Sequence, residues 1–329
     1  MKFQHIIGAD LSKRTIDLFC QLHSSHIVID NNISGYKQMV KWLKEQKINC
    51  SEVMIVMEHT GLYSFCFENF LHEHQIAFNK VSALAVKRSI GLVRGKSDKI
   101  DAKRLAEYGF ARKAELVSQP FTSKEFQRLQ LLHSTRERLV RHKAALLNAV
   151  KEYQNIGLPA TDPIILGQTR LIKDFEKEIE KLEAETNVII QENPSFKKNQ
   201  ALLQSIKGVG KVLSTATIIK TQNFTRFSTA RKFACFCGTA PFEHSSGTSI
   251  RGKTKVSHLA DKQMKTLLDL SAKSAIQYDK ELHLYYLKRT ESGKSKMSTI
   301  NIIRNKIIYR MFAVIKRQTP FIENYLQTA

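Results

Sequence analysis

Residues 53–57 read Val-Met-Ile-Val-Met, and this unbroken apolar run constrains the fold more than any other feature of the chain. A run of this length without polar alternation is typical of a strand that is covered on both faces. Such a strand needs helices above and below its sheet. The run therefore predicts an α/β arrangement for the N-terminal part of the chain.

The segments around this run supply the other elements of such a fold. Three apolar stretches separated by short polar turns predict strands before it, at residues 4–9, 15–22 and 26–29. Helices are expected from Ser34, over residues 63–71, from Ser82 and from Asp98, with a short strand at residues 76–78. The predicted order of elements is βββ-α-β-α-β-α.

Acidic residues occur where several of these elements begin or end. Asp10 follows the first strand and Glu58 follows the buried strand. Asp98 and Asp101 share one face of the last helix, which Ser97 can cap. Ligands collect at the strand ends of open α/β sheets. Taken singly, each acid could instead be a cap or a residue favoured by the helix dipole.

Together, the four carboxylates predict a metal site. Carboxylate oxygens are hard ligands that suit Mg²⁺. Four of them can hold two ions about 4 Å apart, one activating a nucleophile and one stabilising the leaving oxygen. Bringing four acids together without cations would be costly. The basic segment 87–96 beside them is expected where a metal site meets a polyanion.

The charge balance indicates which polyanion this is. The 329 residues include 52 Lys and Arg against 30 Asp and Glu, a formal net charge of +22. This excess points to nucleic acid before an anionic membrane. No apolar run approaches the length of a spanning helix, the N-terminal run is too short for a signal peptide, and the five cysteines lack disulfide-framework spacing. We therefore expect a cytoplasmic protein.

Three segments resemble the motifs of the DEDD transposases of bacterial insertion sequences. They read Ile-Gly-Ala-Asp at 7–10, Met-Glu-His-Thr-Gly at 57–61 and Lys-Ser-Asp-Lys-Ile-Asp-Ala at 96–102. The N-terminal domain of that family resembles the Holliday-junction resolvase RuvC and has an RNase H-like fold. The resemblance implies a RuvC-like domain over residues 1–118, in which Asp10, Glu58, Asp98 and Asp101 hold Mg²⁺.

Residues 119–197 predict a helical middle region. A capping box at Thr122 and Glu125 opens a helix in which apolar residues recur every seven positions until Gly157. A second helical run over residues 172–189 has apolar residues at alternating three- and four-residue spacing. Two such helices predict an antiparallel hairpin or coiled coil. The pair could form within one chain or serve as a dimerisation arm between two.

Residues 198–329 begin with a helix, a Gly-x-Gly turn and a second helix. Gly208 and Gly210 are flanked by Lys207 and Lys211. The pattern resembles a helix-hairpin-helix element, in which backbone N–H groups at the start of the second helix hold a DNA phosphate. A tight turn between two helices, without a ligand, is the alternative, and the two lysines favour the phosphate contact.

A hydroxyl-rich segment follows at residues 237–253. The residues alone predict an exposed loop, on which a serine could attack a phosphate while Arg251 and Lys253 stabilise its charge. The segment also resembles the C-terminal domain of the same family, which has Gly-x-x-Pro, then Ser-Gly, then a basic stretch with a further Gly. The matching residues are Gly238, Pro241, Ser246, Gly247, Arg251 and Gly252. By this resemblance Ser246 is the catalytic serine. The family's later Ser-Lys-x-Gly is replaced by Ser-His-Leu-Ala at 257–260.

The resemblance covers nearly the whole chain and implies a transposase, a DNA recombinase guided by a bridge RNA. It implies donor and target DNA, a non-coding guide RNA and further copies of the chain, in a dimer or tetramer, as partners. The basic amphipathic helices expected over residues 260–329 suit a phosphate backbone. Two alternatives stay open: a metal-dependent, structure-selective nuclease that uses water, and a non-catalytic nucleic-acid-binding protein.

Overall fold

A computed structural model describes residues 3–59, 61–89, 91, 95, 97–120, 122–246 and 250–323, except for the side chains of 244–246 and 250–253. The chain divides into two compact units, Met1–Ser123 and Lys124–Ala329. Among the helices described, none combines the length and apolarity that a bilayer crossing requires.

The first unit is built on a mixed five-stranded sheet. Its strands are β1 (His5–Leu11), β2 (Thr15–Cys20), β3 (Ser25–Asp30), β4 (Val53–Glu58) and β5 (Ala77–Val81). They lie in the order β3-β2-β1-β4-β5, with β1, β2 and β3 antiparallel and β1, β4 and β5 parallel. The helices are α1 (Ile33–Glu45), α2 (Phe65–Glu73), α3 (Ala83–Ser89) and α4 (Asp98–Ala111), with 3₁₀ turns at Cys50–Glu52 and Gly61–Ser64. The predicted order of strands and helices is confirmed.

The two faces of the sheet are covered by different helices. Ile7 and Ile55 pack with Met39 of α1 and Phe67 of α2 in one apolar cluster. Neighbouring residues along β1 and β4, such as Ile6 and Val56, pack instead with Leu105 of α4. The buried strand predicted from the apolar run is therefore β4, and it is covered on both sides.

Helix α4 lies unusually close to β1. A Cβ at Gly8 would overlap the backbone of Ala102 and Ala106, and one at Gly109 would lie 2.6 Å from Val56 and 2.8 Å from Ile6. Because Gly109 lies at Ile6 and Ala102 lies at Gly8, α4 runs antiparallel to β1. The first turn of α4 is thereby directed toward the C-terminal end of β1.

The second unit is mostly helical. It comprises α5 (Lys124–Asn155), α6 (Pro163–Glu192), α7 (Pro194–Gln204), α8 (Lys211–Lys220), α9 (Ala230–Phe236), the strands β6 (Pro241–Ser246) and β7 (Ile250–Val256), α10 (Lys262–Tyr278), α11 (Lys280–Glu291) and α12 (Lys296–Arg317). Helices α7 to α10 and α12 bury one large apolar core.

The long helices α5 and α6 form an antiparallel pair within the chain. Ion pairs join Arg128 to Glu185 at 2.6 Å and Lys143 to Glu176 at 3.3 Å, so the start of α5 lies beside the end of α6. The long helix pair predicted from the sequence is present. A coiled coil between two copies of the chain, and the division at residues 118 and 197, stay predictions.

Candidate active site

Asp10 and Glu58 end neighbouring parallel strands. Ala9 and Met57 are register partners in β1 and β4, so the residues that follow them lie side by side at one edge of the sheet. Side chains alternate along a strand, and Asp10 therefore points to the same face as Gly8, the face that α4 covers. The two strand-end acids are thus presented to α4.

Helix α4 brings the other two acids. Ser97 caps it, its hydroxyl accepting from the Ile100 N–H at 3.3 Å, so Asp98 and Asp101 lie in the first turn. Asp10, Glu58 and Asp101 line one cavity of about 450 Å³. Lys87 of α3 and Arg104 of α4 line it too, and residues 90, 92–94 and 96 of the basic segment lie outside the described part of the chain.

The electrostatics of Asp10 report the closeness of the four acids. Burial, followed by the charges of Asp101, Asp98, Glu58 and then Asp17, raises the pKa of Asp10 to about 6. Desolvation and like charges both disfavour the ionised carboxylate. The cavity therefore concentrates negative charge that a cation would neutralise.

Part of that charge is balanced by Arg104. Its Nη1 lies 2.8 Å from Oδ1 of Asp101, and its Nη2 donates to the carbonyl of Gly95 at 3.0 Å. Among the described residues, no three Asp, Glu, His or Cys side chains already converge as a metal would hold them. The available donors are nevertheless hard carboxylate oxygens around a half-buried Asp10 that neighbouring negative charges disfavour in its ionised form. This chemistry fits a divalent cation, provided that Asp101 exchanges its ion pair with Arg104 for the metal.

A second buried pair adjoins Asp10, and the sequence reasoning missed it. Asp17 of β2 is the direct register partner of Asp10, is only 7% exposed, and its Oδ1 lies 2.7 Å from Nε2 of His26 on β3. An acid between apolar neighbours in the strand Thr-Ile-Asp-Leu-Phe-Cys was the available signal. The spacing of Asp101 and Arg104 likewise indicates an ion pair on one helix face.

The helical hairpin predicted around Gly208 and Gly210 is present as α7, a turn and α8. Gly208 has a φ of +87°, and a Cβ there would lie 2.6 Å from the carbonyl oxygen of Ser271. Lys207 is paired with Glu323 at 2.5 Å, whereas Lys211 is exposed at the first position of α8. Contact of this hairpin with a DNA phosphate stays a prediction.

The segment predicted as an exposed loop is a β-hairpin, so that prediction was wrong. Ser246 is the last residue of β6, and Arg251 and Lys253 lie in β7, with Ser246 opposite Ile250 and Ser245 opposite Arg251. Small hydroxyl-rich residues can form a two-stranded ladder because the backbone supplies the hydrogen bonds. Gly247, and the side chains of Ser246, Arg251 and Lys253, lie outside the described residues.

A mixed sheet in the order 3-2-1-4-5 with acids at the ends of its adjoining parallel strands defines an RNase H-like domain. Comparison with known proteins then identifies the family. The DEDD transposase model of the IS110 type matches residues 7–153, and the model of the transposase IS116/IS110/IS902 family matches residues 200–287. The chain belongs to the IS110 family of transposases, which are DNA recombinases whose DEDD domain implies a divalent metal.

Curated relatives are similar over almost the full chain. The pilin gene-inverting protein of Moraxella bovis is 26% identical over 96% of this chain and 97% of its own length. The transposase for insertion sequence element IS1111A of Coxiella burnetii is 25% identical over 98% of this chain and 92% of its own length. A probable family 20 transposase of Pseudomonas aeruginosa is 24% identical over 82% of this chain and 84% of its own.

Proposed function

We propose that this transposase cuts and rejoins DNA with Mg²⁺ held by Asp10, Glu58, Asp98 and Asp101 and with Ser246 as the nucleophile. The observation that carries the proposal is the raised pKa of Asp10, caused first by burial and then by the three other acids of the set. A buried carboxylate whose proton affinity is raised by three neighbouring acids is suited to binding a divalent cation together with them.

The residues of the cavity have separable roles. Bound Mg²⁺ would supply Lewis-acid stabilisation of charge at the scissile phosphate. Asp10 and Glu58 extend from the rigid sheet and set the position of the ligand oxygens. Lys87 and Arg104, which line the same cavity, can neutralise phosphoryl oxygens, and Arg104 would then exchange Asp101 for the substrate.

Ser246 would form a covalent intermediate. Its Oγ bonds to phosphorus while the bond from phosphorus to one deoxyribose oxygen breaks; the serine proton leaves to solvent and the departing oxygen takes up a proton. The phosphoserine diester keeps the free energy of the broken bond, so a second strand hydroxyl can reverse the step and rejoin DNA. Arg251 and Lys253, two strand positions apart in β7, are the expected partners of the phosphoryl charge.

Rejoining favours this proposal over hydrolysis by water. The relative from Moraxella bovis is named for inverting a pilin gene. Inversion needs each cut end to be joined again, and two ends left by hydrolysis, a hydroxyl and a phosphate monoester, cannot be sealed to each other without an energy source. We propose the same cut-and-rejoin outcome here, with donor and target DNA as substrates.

The nucleic-acid partners extend to a guide RNA. The chain carries a formal net charge of +22, and we propose that part of it binds a non-coding bridge RNA that pairs with donor and target DNA. Because two DNA sites must be held together, we propose that the active form is a dimer or tetramer.

The test is a strand-cleavage assay with purified protein, Mg²⁺, a candidate non-coding RNA and end-labelled DNA, resolved on a denaturing gel. Wild type should give a protein–DNA adduct that proteinase K removes. Ser246→Ala should abolish it, whereas the neighbouring control Ser245→Ala should retain it. Undiminished cleavage by Ser246→Ala would instead support a nuclease that uses water. Absence of cleavage by wild type, with nucleic-acid binding unchanged in Asp98→Ala, would support a non-catalytic binding protein.

A further inference from the structure

Two asparagines of α12 donate hydrogen bonds to the segment that leads into the β6–β7 hairpin. Asn301 Nδ2 donates to the carbonyl oxygen of Thr239 at 2.9 Å, and Asn305 Nδ2 donates to the same oxygen at 2.8 Å. The Thr239 hydroxyl donates in turn to Oδ1 of Asn305 at 3.0 Å. Thr239 is fully buried, so these three hydrogen bonds act in a low-dielectric interior where they are strong and costly to lose.

The rest of the hairpin base is also held. Gly238 has a φ of +64°, and a Cβ there would overlap Ala260 on the far side of the hairpin. Arg231 Nη2 donates to the carbonyl of Pro241 at 2.9 Å, and the Asp261 N–H donates to the carbonyl of Phe236 at 2.9 Å. The segments entering and leaving the hairpin are therefore joined to the helical core.

Beyond its base, the hairpin depends on itself. In the part of the chain that the structure describes, β6 and β7 pack mainly against each other. An isolated two-stranded hairpin is at best marginally stable in water. The direction in which the hairpin projects is consequently set at its base, and the hydrogen bonds to Thr239 are the most buried part of that base.

We propose that Asn301 and Asn305 are positioning residues that orient the β6–β7 hairpin, and with it Ser246, for attack on the phosphate. The inference rests on the assignment of Ser246 as the nucleophile. Both asparagines lie on α12, outside residues 200–287 that the family model matches. They act on Ser246 only through Thr239, by its carbonyl oxygen and its hydroxyl.

The shared acceptor makes a specific prediction about additivity. A carbonyl oxygen has two lone pairs, so either single substitution leaves Thr239 with one donor. The double substitution leaves a buried carbonyl with none, which costs more than twice a single loss. Asn305 also accepts from the Thr239 hydroxyl, so its loss should exceed that of Asn301.

Hydrogen exchange in the full-length chain tests, without any substrate, whether the hydrogen bonds to Thr239 hold the hairpin. We expect the amides of residues 242–246 and 250–256 to exchange about threefold faster in Asn305→Ala, less in Asn301→Ala, and at least about tenfold faster in the double variant. Asp279→Asn is the matched control, because it weakens the ion pair between Asp279 and Arg310 of α12 at a distance from Asn301, Asn305 and Thr239. It should lower the melting temperature and leave hairpin exchange unchanged.

The serine adduct then reports on catalysis. The double variant should form it at least about tenfold more slowly while binding duplex DNA as wild type does. Wild-type hairpin exchange in both single variants, or equal acceleration in the Asp279→Asn control, would overturn the inference even if the double variant fails to fold. Absence of any adduct from wild type would overturn the Ser246 assignment and the catalytic part of the inference with it.

Discussion

Gly8 of β1 and Ala102 of α4 meet backbone to backbone, because any Cβ on Gly8 would overlap the carbonyl oxygen of Ala102. This contact presses α4 onto the sheet and directs its first turn to the strand end that bears Asp10. The two acids of α4 therefore reach the two acids of the sheet because of a residue that has no side chain. Packing at Gly8 and chemistry at Asp10 are linked along one strand.

Gly8→Ala should separate the acids. The added methyl cannot be accommodated without moving α4, and overpacking of this kind costs about 1–3 kcal/mol of unfolding free energy. We expect that loss in urea denaturation, together with a smaller rise in melting temperature on adding Mg²⁺ or Mn²⁺.

Gly167→Ala is the control for this substitution. Gly167 lies inside α6 with open space at its Cβ position, so alanine should be neutral or stabilise the protein by roughly 0.5–1 kcal/mol. A Gly8→Ala protein with wild-type stability and metal response would mean that the contact with α4 does not hold the acids in place.

Asp10 should make the metal-free protein less stable as pH rises. Burial and then neighbouring acids raise its folded-state pKa to about 6 from 3.8, so the folded state binds more protons between those values. Its contribution is fully present below about pH 4 and is lost as pH rises through about 6. The shift corresponds to at most about 3 kcal/mol.

The variant Asp10→Asn isolates this contribution. The difference in unfolding free energy between variant and wild type, measured in EDTA, should grow from near zero at pH 4 to roughly 1–3 kcal/mol above pH 7 in favour of the variant. The exposed Asp174→Asn on α6 serves as the control and should give no such trend. A pH-independent difference for Asp10→Asn would contradict the electrostatic origin.

Much of the first unit could be predicted because its signals are local. Alternation and apolar runs are sufficient to locate β1 to β5, and the acids at Asp10 and Glu58 follow from where those strands end. The pair of Asp17 and His26 could not be predicted, because it depends on which strand lies beside which and in what register. The contact of Gly8 with α4 could not be predicted either, because it depends on how the helix packs on the sheet.

The second unit shows where sequence patterns mislead. The basic amphipathic pattern over residues 260–329 predicts a cationic face suited to phosphate, and Arg304 and Arg310 of the last helix belong to that pattern. They are instead buried or half-buried partners of Asp269 and Asp279 on neighbouring elements. The sequence pattern of a cation in an amphipathic helix is the same whether the cation binds DNA or an acid distant in the chain. The number of Lys and Arg residues therefore overestimates how many are available to bind nucleic acid.

Arg104→Ala should tighten divalent-metal binding. Arg104 is the cation paired with Asp101, and its removal leaves the cavity more negative and Asp101 available as a ligand. We expect the Mg²⁺ concentration that gives half of the melting-temperature rise to fall several-fold, while DNA cleavage also falls because a phosphate-neutralising group is lost. Lys103→Ala on the same helix is the control, because its exposed ammonium pairs with Glu107 and is absent from the lining of the cavity. Weaker Mg²⁺ binding by Arg104→Ala would contradict the idea that Arg104 and the metal compete for Asp101.

Lys211→Ala should weaken DNA binding to the same degree on every sequence. The lysine is exposed at the start of α8, where backbone N–H groups and the helix dipole favour a phosphate. Loss of one phosphate contact should lower the slope of log K against log salt by about 0.9. Fluorescence anisotropy on two unrelated duplexes between low and moderate salt measures this. Lys181→Ala, which removes an exposed lysine of α6 paired with Glu178, should leave the slope unchanged.

His26→Ala tests the pair that supports the site from the side. Asp17 is buried opposite Asp10, and removal of its imidazole partner leaves a carboxylate without that hydrogen bond, at a cost of about 1–3 kcal/mol. In the double variant with Asp17→Asn much of this cost should be recovered, giving a coupling of about 1 kcal/mol or more in a double-mutant cycle. Leu22→Ala, an exposed change in the turn between β2 and β3, should be nearly neutral. Asp17→Asn alone should also move the pH window of Asp10 to lower pH, because it removes one of the charges that raise the Asp10 pKa. If the stability changes of the two substitutions are additive and the pH range over which Asp10 titrates is unchanged, Asp17 and His26 stabilise β2 and β3 without influencing the acids beside them.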